Sequence, residues 1–208
     1  MREARLGEVV AAVAAQALAD RGVGRIALAD DGSPEAGLAL RFLERLPPET
    51  VARVGRDHPR VESLLHALRG VPAGRAGREA VGLVARLDPE ALPAGPENKT
   101  ALLLGGMLPP EPFLPLGDLY ASEVEELCGG WSAPEEVRAL ADAAGGIDRL
   151  DGALRAWLDG RDSGALDRLP SGVADAVRHH FARGRADRFS VRLVPKIGYR
   201  TLGVDLFE

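Results

Sequence analysis

The sequence predicts an α/β fold, a doubly wound parallel sheet with a helical C-terminal part. In the first half of the chain, short apolar runs of strand length alternate with longer segments whose apolar residues recur at helical spacing. From about residue 132 onward, helical patterns follow one another without a strand between them. At 208 residues the chain is expected to form a single domain, with an α/β core over 1–130 and a helical extension and tail over 131–208.

The first elements are a helix and a strand-turn-helix unit. Apolar residues over 6–20 recur at helical spacing, and glycines then end the pattern. The apolar run 25–29 lies between turn residues, as a buried strand does. In the next turn, Ser33 is suited to cap a helix and Pro34 to occupy its first position. The helix that follows is expected to bury Leu38, Leu40, Phe42, Leu43 and Leu46.

The rest of the chain adds two weaker strands and a series of helices. The strands are predicted at 51–54 and 91–94, although prolines in and after the second are unusual for a strand. Asn98 is placed to cap a short helix that runs from Lys99 to about residue 105. The other predicted helices cover 61–68, 78–87, 119–127, 134–143, 147–158 and 170–183, before an irregular tail.

Composition excludes several classes of partner and ligand. The formal net charge is −5 without a basic block, so neither nucleic acid nor a membrane surface is an expected partner. Cys128 is the only cysteine, which excludes an intrachain disulfide, and no structural metal site is visible because histidines and cysteines lack zinc-ligand spacing. No apolar run reaches the roughly 18 residues of a spanning helix, and the N-terminus resembles an amphipathic helix more than a signal peptide. A cytoplasmic protein is expected.

Two segments after residue 90 resemble ammonia-dependent NAD synthetases. Segment 95–100 resembles a turn that reads G-t-x-N-[KR]-[ST]-E in that family, and segment 115–124 resembles its helix start P-[IL]-x-[DN]-L-x-K-x-x-V. Weaker likenesses follow at 147–154 and at 192–198, where the family ends in K-R-x-x-P. The resemblance implies the adenine nucleotide alpha hydrolase-like fold of the ATP pyrophosphatase superfamily, a homodimer, and a ligase that uses ATP and magnesium.

The resemblance fails at the turn after the first strand, where the superfamily reads S-G-G-x-D-S. There the glycines let backbone N–H groups surround a pyrophosphate, and the aspartate helps to hold magnesium. The six aligned positions all differ, and they are Ala29, Asp30, Asp31, Gly32, Ser33 and Pro34. Each carboxylate would repel a phosphate charge about 4 Å away by about 4 kcal/mol at an effective dielectric of about 20. Proline also lacks an N–H donor. The resemblance therefore implies a degenerate phosphate loop.

Other positions that the resemblance makes functional also differ. The family's second magnesium ligand, a glutamate, corresponds to Ala101, the lysine of its last motif falls at or near Val191, and its substrate segment K-x-P-S-A-x-L has no counterpart between 128 and 147. Because metal, phosphate and substrate contacts are missing together, we expect a pseudoenzyme that binds a nucleotide or dinucleotide, or regulates another protein, with no catalytic residue. The candidate ligand-binding residues are Asn98, Lys99, Thr100, Asp118, Arg192 and Lys196.

Two other functions stay open. An active ammonia-dependent NAD synthetase would adenylate nicotinate adenine dinucleotide with ATP and magnesium, and Asp30 or Asp31 would then replace the lost metal ligands. A non-catalytic structural partner of another protein would need none of these groups. For single residues, the alternatives are that Asp30 and Asp31 are solvated turn residues, and that Lys99 is a solvated lysine beside a plain cap. A third alternative is that Asp118, Tyr120 and Glu123 simply start and solvate their helix.

Overall fold

A parallel sheet of three strands forms the centre of the first half of the chain. The computed structural model describes residues 2–67, 73–104, 113–183 and 195. In these ranges the strands are β1 (Arg25–Ala29), β2 (Val51–Val54) and β3 (Ala91–Ala94), in the order β2-β1-β3. Ile26 of β1 pairs with Val51 on one side and with Leu92 on the other. All three strands lie where the sequence predicts them, so the parallel sheet is confirmed.

Helices account for most of the other described residues. They are α1 (Arg2–Arg21), α2 (Pro34–Leu43), α3 (Pro59–Ala67), α4 (Ala73–Arg86), α5 (Lys99–Leu104), α6 (Ala121–Cys128), α7 (Glu135–Ala144), α8 (Ile147–Leu158) and α9 (Val173–Arg183). Short 3-10 turns occur at Pro48–Thr50 and Ala165–Arg168, and neither of them was predicted. Helix α9 begins later than the expected residue 170, because Gly172 has a φ of +86°, outside the right-handed helical region.

Strand β1 is apolar from Ile26 to Ala29 because both of its faces are buried there. Ile26 and Leu28 contribute to a core that contains α1 and α2, whereas Ala27 and Ala29 contribute to a second core that contains α3 and α4. Alternate side chains of a strand point to opposite faces of the sheet, so these two cores lie on its two sides. The doubly wound arrangement is therefore confirmed.

The helical C-terminal part has a core of its own. Helices α7, α8 and α9 pack with α5 around a third group of apolar side chains, among which Leu103, Leu150 and Leu154 are fully buried. Each such side chain stabilises the folded state by about 1.5–3 kcal/mol through its burial. The helical C-terminal part is confirmed, while the division of a single domain at residue 130 stays a prediction.

The described helices contain no span that could cross a membrane, by length and hydropathy together. The cytoplasmic location stays a prediction.

Candidate functional site

The turn between β1 and α2 uses its own carboxylates to bind its own amides. Asp30 Oδ1 accepts a hydrogen bond of 2.9 Å from the Gly32 N–H, and Asp31 Oδ1 accepts one of 3.0 Å from the Ser33 N–H. Ser33 Oγ accepts the Ala36 N–H at 3.2 Å, which confirms it as the N-cap of α2. Two amides at the start of α2, where a helix can bind an anion, are therefore already bound to side chains of the turn.

Asp30 is a buried residue. It is 7% exposed, and its second oxygen forms an ion pair with the Arg53 guanidinium on β2. The alternative that Asp30 is a solvated turn residue is therefore wrong. Asp30 directly follows β1, and its backbone N–H donates to the Val54 carbonyl at 2.9 Å. Asp31 is half-buried. Within the described ranges, no three acidic, histidine or cysteine side chains are grouped to hold a metal ion.

Glu35, in the first turn of α2, is the buried acid that the sequence analysis missed. It is 2% exposed, and its two oxygens accept hydrogen bonds from the Ser132 N–H (2.6 Å), the Ser132 hydroxyl (2.9 Å) and the Asn98 side-chain amide (3.3 Å). Burial raises the pKa of the Glu35 carboxyl, and the nearby charge of Asp31 adds to that, while the Ser132 hydrogen bonds oppose it. In the sequence, an acid at this position has the ordinary appearance of a residue that favours a helix N-terminus.

A small cleft lies beside these residues, between the α/β part and the helical part. Its volume is about 20 Å³, which holds about one water molecule. Sites for small organic ligands are usually of roughly 300 Å³ or more. The cleft is lined by Asp31, Ser33, Glu35, Arg78, Asn98 and Ser132, among others.

The first residue of α5, Lys99, is buried in an ion cluster. Its side chain is 4% exposed, and its Nζ lies 3.1 Å from both carboxylate oxygens of Asp159 and 3.8 Å from Asp118 Oδ1. The alternative of a solvated lysine is wrong, because α5 is enclosed by the helical core. Asp118 is 3% exposed, so the alternative that it only starts a solvated helix is wrong for the same reason.

Tyr120 connects this cluster to α6 and α8. Lys99 Nζ lies 4.6 Å from the centre of its ring, and the Arg155 guanidinium lies 4.8 Å from it. The Tyr120 hydroxyl donates to Asp159 at 3.0 Å, and burial together with the Asp159 charge raises the pKa of Tyr120. The phenol therefore stays protonated and acts as a donor.

A second pair of buried polar side chains fixes α5 to α6 and α8. The Thr100 hydroxyl donates to Asp151 Oδ1 at 2.6 Å and accepts the Ala121 N–H at 2.9 Å. Asp151 Oδ2 accepts the Ser122 N–H at 2.7 Å. Burial raises the pKa of Asp151, and these hydrogen bonds oppose the shift.

The structure brings some of the candidate ligand-binding residues together and separates others. Lys99 and Asp118 share the ion cluster, whereas Thr100 belongs to the hydrogen bonds with Asp151. Asn98 lines the cleft, and its Oδ1 accepts the Ala101 N–H at 3.0 Å, which confirms it as the cap of α5. Arg192 and Lys196 lie outside the described residues, as do Val191 and the predicted tail apart from residue 195. Ligand binding by any of the six residues stays a prediction.

Comparison with known proteins gives a likeness in fold but none in sequence family. No protein-family model matches the sequence, and no curated protein matches it. Among solved structures, the chain is similar to the NH3-dependent NAD synthetase from Campylobacter jejuni subsp. jejuni NCTC 11168, determined in complex with the nitrate ion. The TM-score is 0.63 at 17% identity, and the match covers 90% of this chain and 96% of that chain. The resemblance to NAD synthetases is thus confirmed at the level of the fold.

Proposed function

We propose that this protein is an NAD synthetase-like pseudoenzyme, which has lost ATP-dependent amidation and acts as a nucleotide- or dinucleotide-binding or regulatory homologue. A single observation carries the proposal. The Asp30 and Asp31 carboxylates accept hydrogen bonds from the Gly32 and Ser33 amides, at the start of α2 where a phosphate would need free N–H donors.

Electrostatics at the turn support the loss of triphosphate binding. A phosphate that replaced these carboxylates would have to displace two hydrogen-bonded anions from the helix N-terminus. If both carboxylates stayed in place, each would repel a phosphate charge at about 4 Å by about 4 kcal/mol at an effective dielectric of about 20. Pro34, at the first position of α2, supplies no N–H to compensate.

The surroundings of the turn support the same conclusion. The cleft beside it is about 20 Å³ in volume, too small for a nucleotide as it stands. Ala101 lines that cleft, and its methyl group cannot hold a metal ion. The residues present therefore do not fit ATP with magnesium, and we assign no step of an adenylation reaction to them.

A nucleotide or dinucleotide that still binds would contact either neutral side chains or a charged side chain whose present partner it replaces. Asn98 lines the cleft. Lys99 is paired with Asp159, so an anionic ligand would bind there by taking the place of that carboxylate, whose side chain is 22% exposed. We therefore expect weak binding of a nucleotide or dinucleotide near residues 98–100, with Asp118, Arg192 and Lys196 as further candidate contacts. Homodimer formation belongs to the same proposal.

The decisive experiment measures adenylation directly. Purified protein is incubated with ATP, magnesium, nicotinate adenine dinucleotide and ammonium, and release of AMP and pyrophosphate is followed. We expect no release above that of a protein-free control. Sustained release of both products by the wild-type protein would instead establish the active synthetase, and would overturn the proposal.

Variants of the turn test the physical reason for the loss. Asp31→Gly frees the Ser33 amide and removes a charge, so we expect tighter binding of inorganic pyrophosphate in calorimetry, by roughly tenfold. Asp88→Gly is the control for the loss of a charge and of a bond to a nearby amide, because Asp88 accepts the Glu90 N–H at 3.1 Å in a turn away from the cleft; it also removes the ion pair of Asp88 with Arg25. Equal effects of the two changes would contradict the proposal. A wild-type protein that binds neither nucleotide nor dinucleotide would favour the structural partner.

A further inference from the structure

One connecting segment lies across the N-terminal end of α2. Residues 129–134, here called the strap, run from the end of α6 to the start of α7. Gly129 ends α6 with a φ of +75°, which a residue with a side chain rarely adopts. A Cβ atom built on Gly130 would lie 3.5 Å from Pro34 Cγ, so the strap passes in contact with the first residue of α2.

The strap also forms one side of the cleft. Ser132, Ala133 and Pro134 all line it, opposite Ser33 and the other residues of the β1–α2 turn. Ala133 is 6% exposed and belongs to the helical core. Ala133 thus anchors the strap to the helical part, and movement of Ser132 away from α2 would widen the cleft that Ser132 lines.

A single carboxylate holds the strap against α2. Glu35 accepts both hydrogen bonds that Ser132 can donate, at 2.6 Å from its N–H and at 2.9 Å from its hydroxyl. The third hydrogen bond to Glu35 comes from Asn98 at the start of α5. Hydrogen bonds to a charged group are stronger than those between neutral groups. Glu35 is only 2% exposed, so little water competes for its carboxylate.

We propose that the strap is a movable cover of the cleft, and that the hydrogen bonds between Glu35 and Ser132 keep it closed. In the closed state the cleft has room for about one water molecule. Solutes larger than water reach the starts of α2 and α5 when Ser132 separates from Glu35. This inference is independent of the proposed loss of activity, because it concerns access to the cleft and not chemistry within it.

Cys128 provides a reporter for the strap. It is the only cysteine of the chain, and its half-buried Sγ lies 3.1 Å from the Gly130 carbonyl oxygen, within the strap. Burial raises the pKa of the Cys128 thiol, and the Glu35 charge raises it further. A substitution of Glu35 would change thiol reactivity through that charge alone, so the labelling test uses the uncharged partner, Ser132.

The first experiment is the rate of reaction of Cys128 with dithiobis(nitrobenzoate) at about pH 8. Ser132→Ala removes the hydroxyl hydrogen bond to Glu35, and we expect labelling roughly tenfold faster than in the wild-type protein. Ser63→Ala is the control, because the Ser63 hydroxyl donates to the Pro59 carbonyl at an exposed position of α3. A Ser132→Ala rate within about twofold of the wild-type rate would overturn the proposal.

The second experiment keeps the proposal testable if Ser132→Ala folds poorly. Glu35→Gln is compared with the wild-type protein by amide hydrogen exchange, which does not depend on the thiol. We expect faster exchange only within residues 129–134, with the largest increase at the Ser132 amide. Exchange that is unchanged there, or that rises equally in strand β1, would show that Glu35 does not specifically hold the strap.

Discussion

Two groups of buried or half-buried carboxylates in this protein are neutralised in different ways. At the turn after β1, Asp30 and Asp31 bind amides two residues further along the chain. In the ion cluster at α5, Asp159 binds the Lys99 ammonium and the Tyr120 hydroxyl, which lie 60 and 39 residues away in sequence. The first arrangement is mainly local and uses main-chain donors, apart from the ion pair of Asp30 with Arg53 on β2, whereas the second joins distant elements through side-chain donors alone.

The difference leads us to predict which group is more sensitive to substitution in stability and which, under the proposed function, affects anion binding. Local hydrogen bonds at a turn contribute modestly, because the same residues can bond similarly in other conformations. A buried ion cluster contributes nothing unless all of its members are present, since each charge alone is strongly destabilising. Changes in the α5 cluster should therefore mainly affect folding, and changes at the turn should mainly affect anion binding.

The largest effect is expected from Lys99→Ala. It leaves the Asp118 and Asp159 carboxylates near each other without the ammonium between them, and we expect the free energy of unfolding to fall by about 3 kcal/mol in urea denaturation. Arg155→Ala is the matched control, because this second cation on the Tyr120 ring is half-exposed and should cost less than about 1 kcal/mol. Similar losses in both variants would contradict the distinction between buried and exposed cations.

Thr100→Val is expected to cost about 2 kcal/mol of unfolding free energy, again measured in urea. Valine has the shape of threonine but neither donates to Asp151 nor accepts the Ala121 N–H, so two buried groups each lose a hydrogen bond. Thr100→Ser keeps the hydroxyl and should lose much less. If valine and serine were equally tolerated, these hydrogen bonds would not be what fixes α5 to α6 and α8.

At the turn, Ser33→Ala removes the N-cap of α2 and should cost about 1 kcal/mol of unfolding free energy. Thermal unfolding followed by circular dichroism measures the loss, and Ser33→Thr should retain most of the stability because its hydroxyl can also cap. A loss as large as that of Lys99→Ala would show that the turn is not the weaker of the two groups.

The smallest effect is expected in the pH dependence of the free energy of unfolding. Because burial raises the pKa of Glu35 above the ordinary 4.5, the folded protein holds this proton more tightly than the unfolded chain. Stability from this group is full below that ordinary value and is lost as the pH rises through the folded-state pKa. Glu35→Gln should remove this part of the slope at pH values above the ordinary 4.5 in urea titrations, while Asp151, whose pKa is also raised, continues to contribute. If the free energy of unfolding depended on pH in the same way in the wild-type protein and in Glu35→Gln, the pKa of Glu35 would not be raised by folding.

Much of the fold could be predicted because its signals are local. Strand β1 is a continuous apolar run, and Ser33 and Asn98 have the residue types that cap helices, so the start of α2 and of α5 was predicted correctly. The start of α9 was predicted too early, because the positive φ of Gly172 depends on how the preceding turn packs.

The site was predicted less completely because burial is not local. Lys99 and Asp118 were recognised as candidates, but Asp159, the second acid beside the Lys99 ammonium, lies in a segment without a functional signal in its sequence. Glu35 was missed altogether, since its role depends on Ser132, 97 residues away.

The amino-acid sequence alone determined the alternation of strands and helices, the caps, and the acidic turn where a phosphate-binding loop is expected. These properties depend on residues within a few positions of one another, as helix and strand periodicities do. Only the tertiary structure decided that the acids of the turn bind its amides, that Lys99 is buried between carboxylates, and that Glu35 holds the strap. The cost of burying a charge depends on which distant groups surround it, and that is known only once the elements have packed.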